Sequence, residues 1–168
     1  RTPFDVMLLA AAAVAAVAVA SVQGKIYFQE TFDDMSKWTQ STKKADYGKL
    51  EATAGDFSGD AAINKGAKTM EDARFYASSA PLGQPITNEG KDIVVSLSVK
   101  NEQGLDCGGG YIKVLPKMDP AEFHGESEYW LMFGPDKCGA TNKVHVIFNY
   151  DGKNLPWKKE PRFPDDKL

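Results

Sequence analysis

The sequence predicts an all-β fold, either an antiparallel β-sandwich or a β-barrel. Apolar and polar residues alternate with the period of a strand in several segments. Gly, Pro, Asn and Asp residues separate these segments, and no stretch after residue 24 has the apolar stripe of a helix. At 168 residues the chain is long enough for one domain with a sizeable core. The pattern alone leaves the choice between sandwich and barrel open.

The strands can be predicted in chain order. Apolar residues recur at every second position in residues 93–99 and 144–150, so each is predicted to be a strand with one buried face. Asp151-Gly152 follows the second of these and is typical of a two-residue hairpin turn. Shorter strands are expected at residues 26–32, 73–77, 111–115 and 129–133. His145 lies between two apolar strand residues, so it is expected to face outward without a catalytic role.

The first 24 residues differ from the rest. Residues 6–22 form an almost unbroken run of Ala, Val and other apolar residues, after Arg1. Small residues precede two possible cleavage points, after Ala20 and after Gly24. We therefore expect residues 1–24 to be a secretory signal peptide rather than a membrane anchor, which leaves no stable membrane span after cleavage. Residues 25–168 would then form one domain in an oxidising compartment.

The two cysteines, Cys107 and Cys138, are not arranged as C-x-x-C, and neither histidine has zinc-ligand spacing to them. In an oxidising compartment this pattern predicts one structural disulfide, worth about 3 to 4 kcal/mol in the chain-entropy model. It should fix a turn at residues 108–110 against a loop at residues 134–136. With 20 Lys and Arg, 23 Asp and Glu, and no basic cluster, the chain has no feature that favours nucleic acid as a partner.

Tyr111 and Lys113 are two residues apart on a predicted strand, so both side chains leave the same face. A ring and an ammonium group side by side suit a sugar, since the ring stacks on C–H groups and the charge binds hydroxyls. Ordinary strand residues would give the same pattern. The residue types alone therefore leave both interpretations open.

Longer motifs carry a family resemblance. They are DCGGGYIK at residues 106–113, YWLMFGPDKCG at 129–139, DARFYA at 72–77, HGESEY at 124–129 and VHVIFNYDGKN at 144–154. In these motifs the chain resembles the globular lectin domain of the calreticulin and calnexin family, over residues 26–168. The resemblance implies an antiparallel jelly-roll β-sandwich of the legume-lectin (concanavalin A-like) type. We expect residues 25–168 to be a partial domain that ends before the family's proline-rich arm, later strands and acidic tail.

The resemblance also implies a function. It is that of a calcium-dependent, non-enzymatic lectin chaperone of the endoplasmic reticulum lumen, which binds monoglucosylated high-mannose glycans on unfolded glycoprotein clients. The implied carbohydrate-binding residues are Tyr111, Lys113, Tyr129 and Asp136. The implied calcium ligands are Thr31 and the backbone carbonyls of Ile63 and Lys65. A thiol-disulfide oxidoreductase is the further partner implied, through the arm.

Two alternatives remain open at this point. One is a polypeptide-binding or calcium-buffering module that uses the sandwich without recognising sugar. The other is a glycoside hydrolase, because Glu126 and Glu128 would share a face if they lay on a strand, and paired carboxylates hydrolyse glycosides.

Overall fold

The computed structural model describes residues 24–162, and its strands pair in antiparallel fashion in three sheets. The prediction of an all-β antiparallel fold is confirmed. In chain order the elements are β1 Thr39–Gln40, β2 Leu50–Thr53, β3 Gly66–Thr69, β4 Ser78–Ser79, β5 Cys107–Gly109, β6 Ile112–Val114, a 3-10 helix Pro120–Glu122, β7 Leu131–Cys138, β8 Thr141–Tyr150 and β9 Lys153–Pro156. The predicted signal peptide lies almost entirely outside the described residues.

The main sheet has five strands. β7, β8 and β9 follow one another as a meander, and β5 and β6 both pair with the other edge of β7. Two-residue turns join the meander, and Asp151 and Gly152 in the second turn have φ of 51° and 70°, as predicted for a hairpin. Val114 and Leu131 are cross-strand partners and are among the few buried apolar residues in the described part of the chain.

β7 is longer than expected at its carboxyl end. It continues through residues 134–136, which the sequence predicted to be a loop, and Pro135 pairs with Val144. Proline normally argues against a central strand because it lacks an N–H donor. Here Pro135 lies opposite the break between β5 and β6, and its carbonyl accepts a hydrogen bond from Gly110 N–H at 3.1 Å. The turn expected at residues 108–110 is likewise mostly strand β5.

Three of the predicted strands were wrong. Residues 26–32 wrap around Glu30, whose carboxylate accepts hydrogen bonds from Thr31 N–H, Phe32 N–H and Trp38 Nε1–H. Residues 93–99 keep the predicted alternation of exposure as far as Ser98 but have no ladder partner in the described part of the chain. No strand forms at residues 73–77, and β4 begins at Ser78, one residue past the predicted end. A strand needs a bonded neighbour as well as an apolar face, which periodicity cannot reveal.

The hairpin β2–β3 was not predicted, and an ionic cluster fixes it to the segment that follows. Glu102 accepts from Lys68 Nζ at 2.6 Å and from Lys100 Nζ at 2.7 Å. Lys100 also donates to the carbonyl of Asp56 at 2.6 Å. Hydrogen bonds from Lys100 and Lys68 lower the pKa of Glu102 to about 2. Glu102 therefore stays ionised and joins two parts of the chain.

The segment between β6 and β7 is also anchored. The 3-10 helix docks beside β1 and bonds to the two residues that follow this strand. Ser41 Oγ donates to Ala121 O at 3.0 Å, and Thr42 N–H donates to the same carbonyl at 2.9 Å. Ser127 is buried, and its Oγ accepts from His124 N–H at 3.0 Å. Between residues 24 and 162, we find no helix with the length and apolarity needed to cross a bilayer.

Candidate functional site

The candidate site lies on one face of the five-stranded sheet, and the strand register decides its composition. Lys113 pairs with Met132, and Gly109 pairs with Asp136. Since side chains alternate along each strand, Tyr111 and Lys113 of the β5–β6 edge share a face with Asp136. His145 on β8 is the cross-strand partner of Gly134 on β7, so its side chain lies on the same face. The register thus groups three of the four predicted carbohydrate-binding residues on one face of the sheet.

Tyr111 and Asp136 interact directly. The phenol hydroxyl hydrogen-bonds to the Asp136 carboxylate, and burial together with this bond raises the pKa of Tyr111 to about 12. Tyr111 therefore keeps its hydrogen and donates at any physiological pH. The hydroxyl lies directly over Gly109, so close that a Cβ at this position would be 2.1 Å from it. Glycine at 109 is thus what allows the phenol to reach the carboxylate.

Lys113 and Tyr129 form the second half of the site. Lys113 Nζ lies 4.9 Å from the centre of the Tyr129 ring and donates to Gly125 O at 2.6 Å. Burial lowers the pKa of Lys113, which the negative charge of Glu126 partly opposes, and burial raises the pKa of Tyr129. A bend at Trp130 precedes β7 and places Tyr129 beside the lysine. The cation–π contact and the carbonyl hold the ammonium group in place.

A shallow pocket of about 420 Å³ opens beside Tyr129. It is lined by Pro116, Glu128, Tyr129, Trp130, Asn149 and Gly152. The half-exposed phenol of Tyr111, the Lys113 ammonium group and the Asp136 carboxylate lie on the adjoining sheet face. This surface can therefore stack on an apolar ligand face and hydrogen-bond to hydroxyl groups.

The disulfide between Cys107 and Cys138 is present, in agreement with the sequence-based prediction. The two residues are directly opposite each other where β5 pairs with β7. The bond therefore locks the register that sets Gly109 against Asp136 and so supports the Tyr111 contact. It does so within a ladder and not, as expected, between a turn and a loop.

Sequence reasoning missed His145 and Glu160. The His145 side chain is only 16% exposed and lies between two carboxylates, with Nε2 3.0 Å from Asp136 Oδ2 and Nδ1 3.0 Å from Glu160 Oε1. The expectation of an outward-facing residue overlooked these contacts. Only the position of His145 opposite Gly134 in the register could have suggested its place beside the site, and no pattern points to Glu160.

Two side-chain hydrogen bonds to Asp33 involve Thr31 and Lys65, two of the three residues predicted to bind calcium. Lys65 Nζ donates to Asp33 O at 3.3 Å, and Thr31 Oγ1 donates to Asp33 Oδ2 at 3.2 Å, so the Lys65 side chain reaches the segment that contains Thr31. Oxygen ligands of this kind suit a hard cation. In the described part of the chain no three His, Cys, Asp or Glu side chains cluster as metal ligands. A calcium ion here would therefore depend on backbone carbonyls.

The predicted hydrolase pair does not share a strand. Glu126 lies in a turn, Glu128 lies in an irregular segment, and both are exposed on either side of buried Ser127. The shared strand face on which the hydrolase alternative depended is therefore not formed.

Comparison with known proteins places the chain in a family. The profile of the Calreticulin family matches residues 28–163. Calreticulin from Euglena gracilis is 54% identical over 150 residues, covering 88% of this chain and 37% of that relative, and calreticulin from Homo sapiens is 47% identical over 156 residues, covering 89% and 37%. The chain thus spans little more than a third of these relatives.

A solved structure described as the T. cruzi calreticulin globular domain superposes with a TM-score of 0.82 at 57% identity, covering 86% of this chain and 55% of that one. This similarity confirms the predicted fold class, a legume-lectin-like β-sandwich.

Proposed function

Because this chain belongs to the calreticulin family, we propose that it forms part of a lectin-type chaperone domain that acts in the lumen of the endoplasmic reticulum. Its ligands would be monoglucosylated high-mannose glycans on newly made glycoproteins. Tyr111, Lys113, Tyr129 and Asp136 would bind the glucose end of the glycan. The domain would hold an unfolded glycoprotein through its glycan and release it when the glucose is removed.

The observation that carries this proposal is the meeting of a phenol, an ammonium group and a carboxylate on one sheet face. Tyr111 already donates to Asp136, so the free lone pairs of that carboxylate are oriented before a ligand arrives. Lys113 is likewise held over Tyr129 by the Gly125 carbonyl. Preorganised polar groups lose little entropy on binding, which favours recognition of a small sugar.

A titration with glycans tests the proposal. At millimolar calcium, we expect the chain to bind monoglucosylated oligomannose and to bind the unglucosylated form much more weakly. Lys113→Ala should abolish the preference, because the ammonium group supplies charge-assisted hydrogen bonds to hydroxyls. Lys117→Ala, at an exposed position shortly after β6, is the matched control and should bind as the unchanged chain does. Equal affinity for both glycans would refute the proposal.

Calcium is part of the proposal. The carbonyls of Ile63 and Lys65 and an oxygen of Thr31 would hold the ion between the loop and the turn after Glu30. An ion there would join two parts of the chain and stabilise the fold by mass action. We expect the melting temperature to rise with calcium and to fall with a chelator. Magnesium at the same concentration is the control, since Mg²⁺ requires near-ideal octahedral geometry and gives up its bound waters reluctantly.

A second candidate is a polypeptide-binding module without sugar recognition. It is favoured by the other face of the main sheet, where the cross-strand partners Phe148 and Leu155 are each 49% exposed. Suppression of client aggregation separates the two functions. If Tyr111→Ala removes glycan binding but leaves the suppression of aggregation of an unglycosylated client unchanged, both functions exist on separate faces. If the unchanged chain suppresses aggregation but binds no glycan, only the second remains.

A further inference from the structure

The His145 ring lies between two carboxylates next to the candidate carbohydrate site. Its ring nitrogens are each 3.0 Å from an oxygen, one of Asp136 and one of Glu160. An ionised carboxylate only accepts hydrogen bonds, and a neutral imidazole has one N–H donor and one acceptor nitrogen. Either neutral form of the ring would therefore turn a lone pair toward one carboxylate. Both contacts are favourable together only when the ring carries hydrogen on both nitrogens.

Glu160 is held in this position by the main chain. After β9 the chain continues beside β8, with Trp157 N–H donating to Val146 O at 2.8 Å and Val144 N–H donating to Pro161 O at 2.7 Å. Glu160 lies between these two bonds, and its Oε1 also accepts from Val146 N–H at 3.3 Å. The carboxylate is thus fixed against the ring from the edge of the sheet.

The charge around Glu160 keeps it ionised. Lys143 Nζ lies 2.8 Å from Glu160 Oε2, and the Glu160 side chain is only 9% exposed. Burial alone would raise the pKa of Glu160, but the hydrogen bonds from Lys143 and His145 outweigh burial and leave the pKa below its ordinary value.

Charged and titratable groups face the His145 ring from each neighbouring element. Asp136 on β7 and Glu160 after β9 contact the ring nitrogens, and Lys143 on β8 acts through Glu160. Tyr111, next to β6, packs with its ring centre 5.9 Å from that of His145 and also bonds to Asp136. A continuous chain of hydrogen bonds therefore leads from Glu160 to the proposed ligand face.

We propose that Glu160 is a positioning residue for the carbohydrate site: it holds the His145 ring in its doubly protonated form, and the ring holds Asp136 toward the ligand. Loss of one ring hydrogen as pH rises would set a lone pair against a carboxylate, so Asp136 would turn away and glycan affinity would fall. The ligand part of this inference rests on the proposed function, whereas the coupling of Glu160 to His145 does not.

Two variants with opposite expected effects test the coupling. In Glu160→Gln the negative charge beside the ring is lost, so the pH range in which His145 loses its second hydrogen should move down. In Lys143→Met a positive charge beside Glu160 is lost, so the same range should move up. Imidazole nitrogen NMR from about pH 5 to about pH 9 measures both. His124, the other of the two histidines, is the internal reference and should not move.

Glycan affinity over the same pH range tests the link to the ligand. The fall in affinity should shift with the His145 transition in both variants. Glu122→Gln, which removes an exposed carboxylate paired with Lys43 at 2.6 Å, is the matched control and should leave both profiles unchanged.

The outcomes are distinguishable. The inference is overturned if Glu160→Gln keeps the profile of the unchanged chain, or if both variants move the His145 transition in the same direction, as a general disturbance of the fold would. Absence of glycan binding by the unchanged chain would overturn the lectin function, while the NMR shifts would still decide whether Glu160 controls the His145 ring.

Discussion

Replacing Gly109 with alanine tests the carbohydrate site through a single methyl group. The new Cβ would lie 2.1 Å from the Tyr111 hydroxyl and 3.0 Å from the Pro135 carbonyl oxygen. Ordinary contacts begin near 3.4 Å, so the phenol would have to retreat by about 1.3 Å. The backbone carbonyl leaves the methyl group little room to shift instead. Alanine at 109 should therefore push Tyr111 off Asp136.

The size of the effect follows from the hydrogen bond that is lost. A hydrogen bond to a charged group contributes about 1.5 to 3 kcal/mol. If the ligand depends on this arrangement, affinity for monoglucosylated oligomannose should fall by about 10- to 150-fold. The fold itself should be affected less. Alanine restricts the unfolded chain and gains up to about 1 kcal/mol, which offsets part of the lost contact.

Isothermal titration with the glycan, with urea unfolding run in parallel, measures both quantities. Gly110→Ala is the matched control, because a Cβ at the adjacent position meets nothing within 4 Å. We expect this control to bind with unchanged affinity. If Gly109→Ala binds as tightly as the unchanged chain, or if Gly110→Ala loses as much affinity, then Tyr111 and Asp136 do not act together on the ligand.

Three further predictions concern stability. Changing both Cys107 and Cys138 to serine should lower the free energy of unfolding by about 3 to 4 kcal/mol, because the unfolded chain gains conformational freedom. Urea unfolding measures this, and an unchanged urea midpoint would contradict the role given to the disulfide. Gly134→Ala should destabilise the fold by more than about 2 kcal/mol, because the new Cβ would lie 2.1 Å from the Gly110 carbonyl oxygen, φ at this position is 151°, and a backbone atom cannot rotate away. Thermal unfolding checks this, and a loss of stability no larger than that of Gly109→Ala would argue against it. The lowered pKa of Glu102 means that its ion pairs stabilise the fold fully above pH 4.5 and are lost as pH falls toward about 2. The difference in stability between the unchanged chain and Glu102→Gln should shrink over that range, and a constant difference would count against the ionic cluster.

Several parts of the fold were predictable because they depend on local patterns. The alternation at residues 144–150 identified the carboxyl-terminal part of β8, and Asp151-Gly152 identified its hairpin, since both are set by neighbours in sequence. The disulfide followed from the number and spacing of the cysteines. Residues 93–99 had an equally clear alternation but form no ladder, because periodicity reports which face is covered and not which strand is adjacent.

The candidate site divides in the same way. Tyr111 and Lys113 share a face because they are two residues apart along the edge that contains β6, and the sequence alone determined this spacing, together with the fold class and the family motifs. The tertiary structure decided what surrounds them. It carried β7 through Pro135, set Gly109 beneath the phenol, and brought Glu160 against His145 from beyond the next strand. These contacts depend on hydrogen bonds between strands, whose register is settled only when the whole sheet assembles.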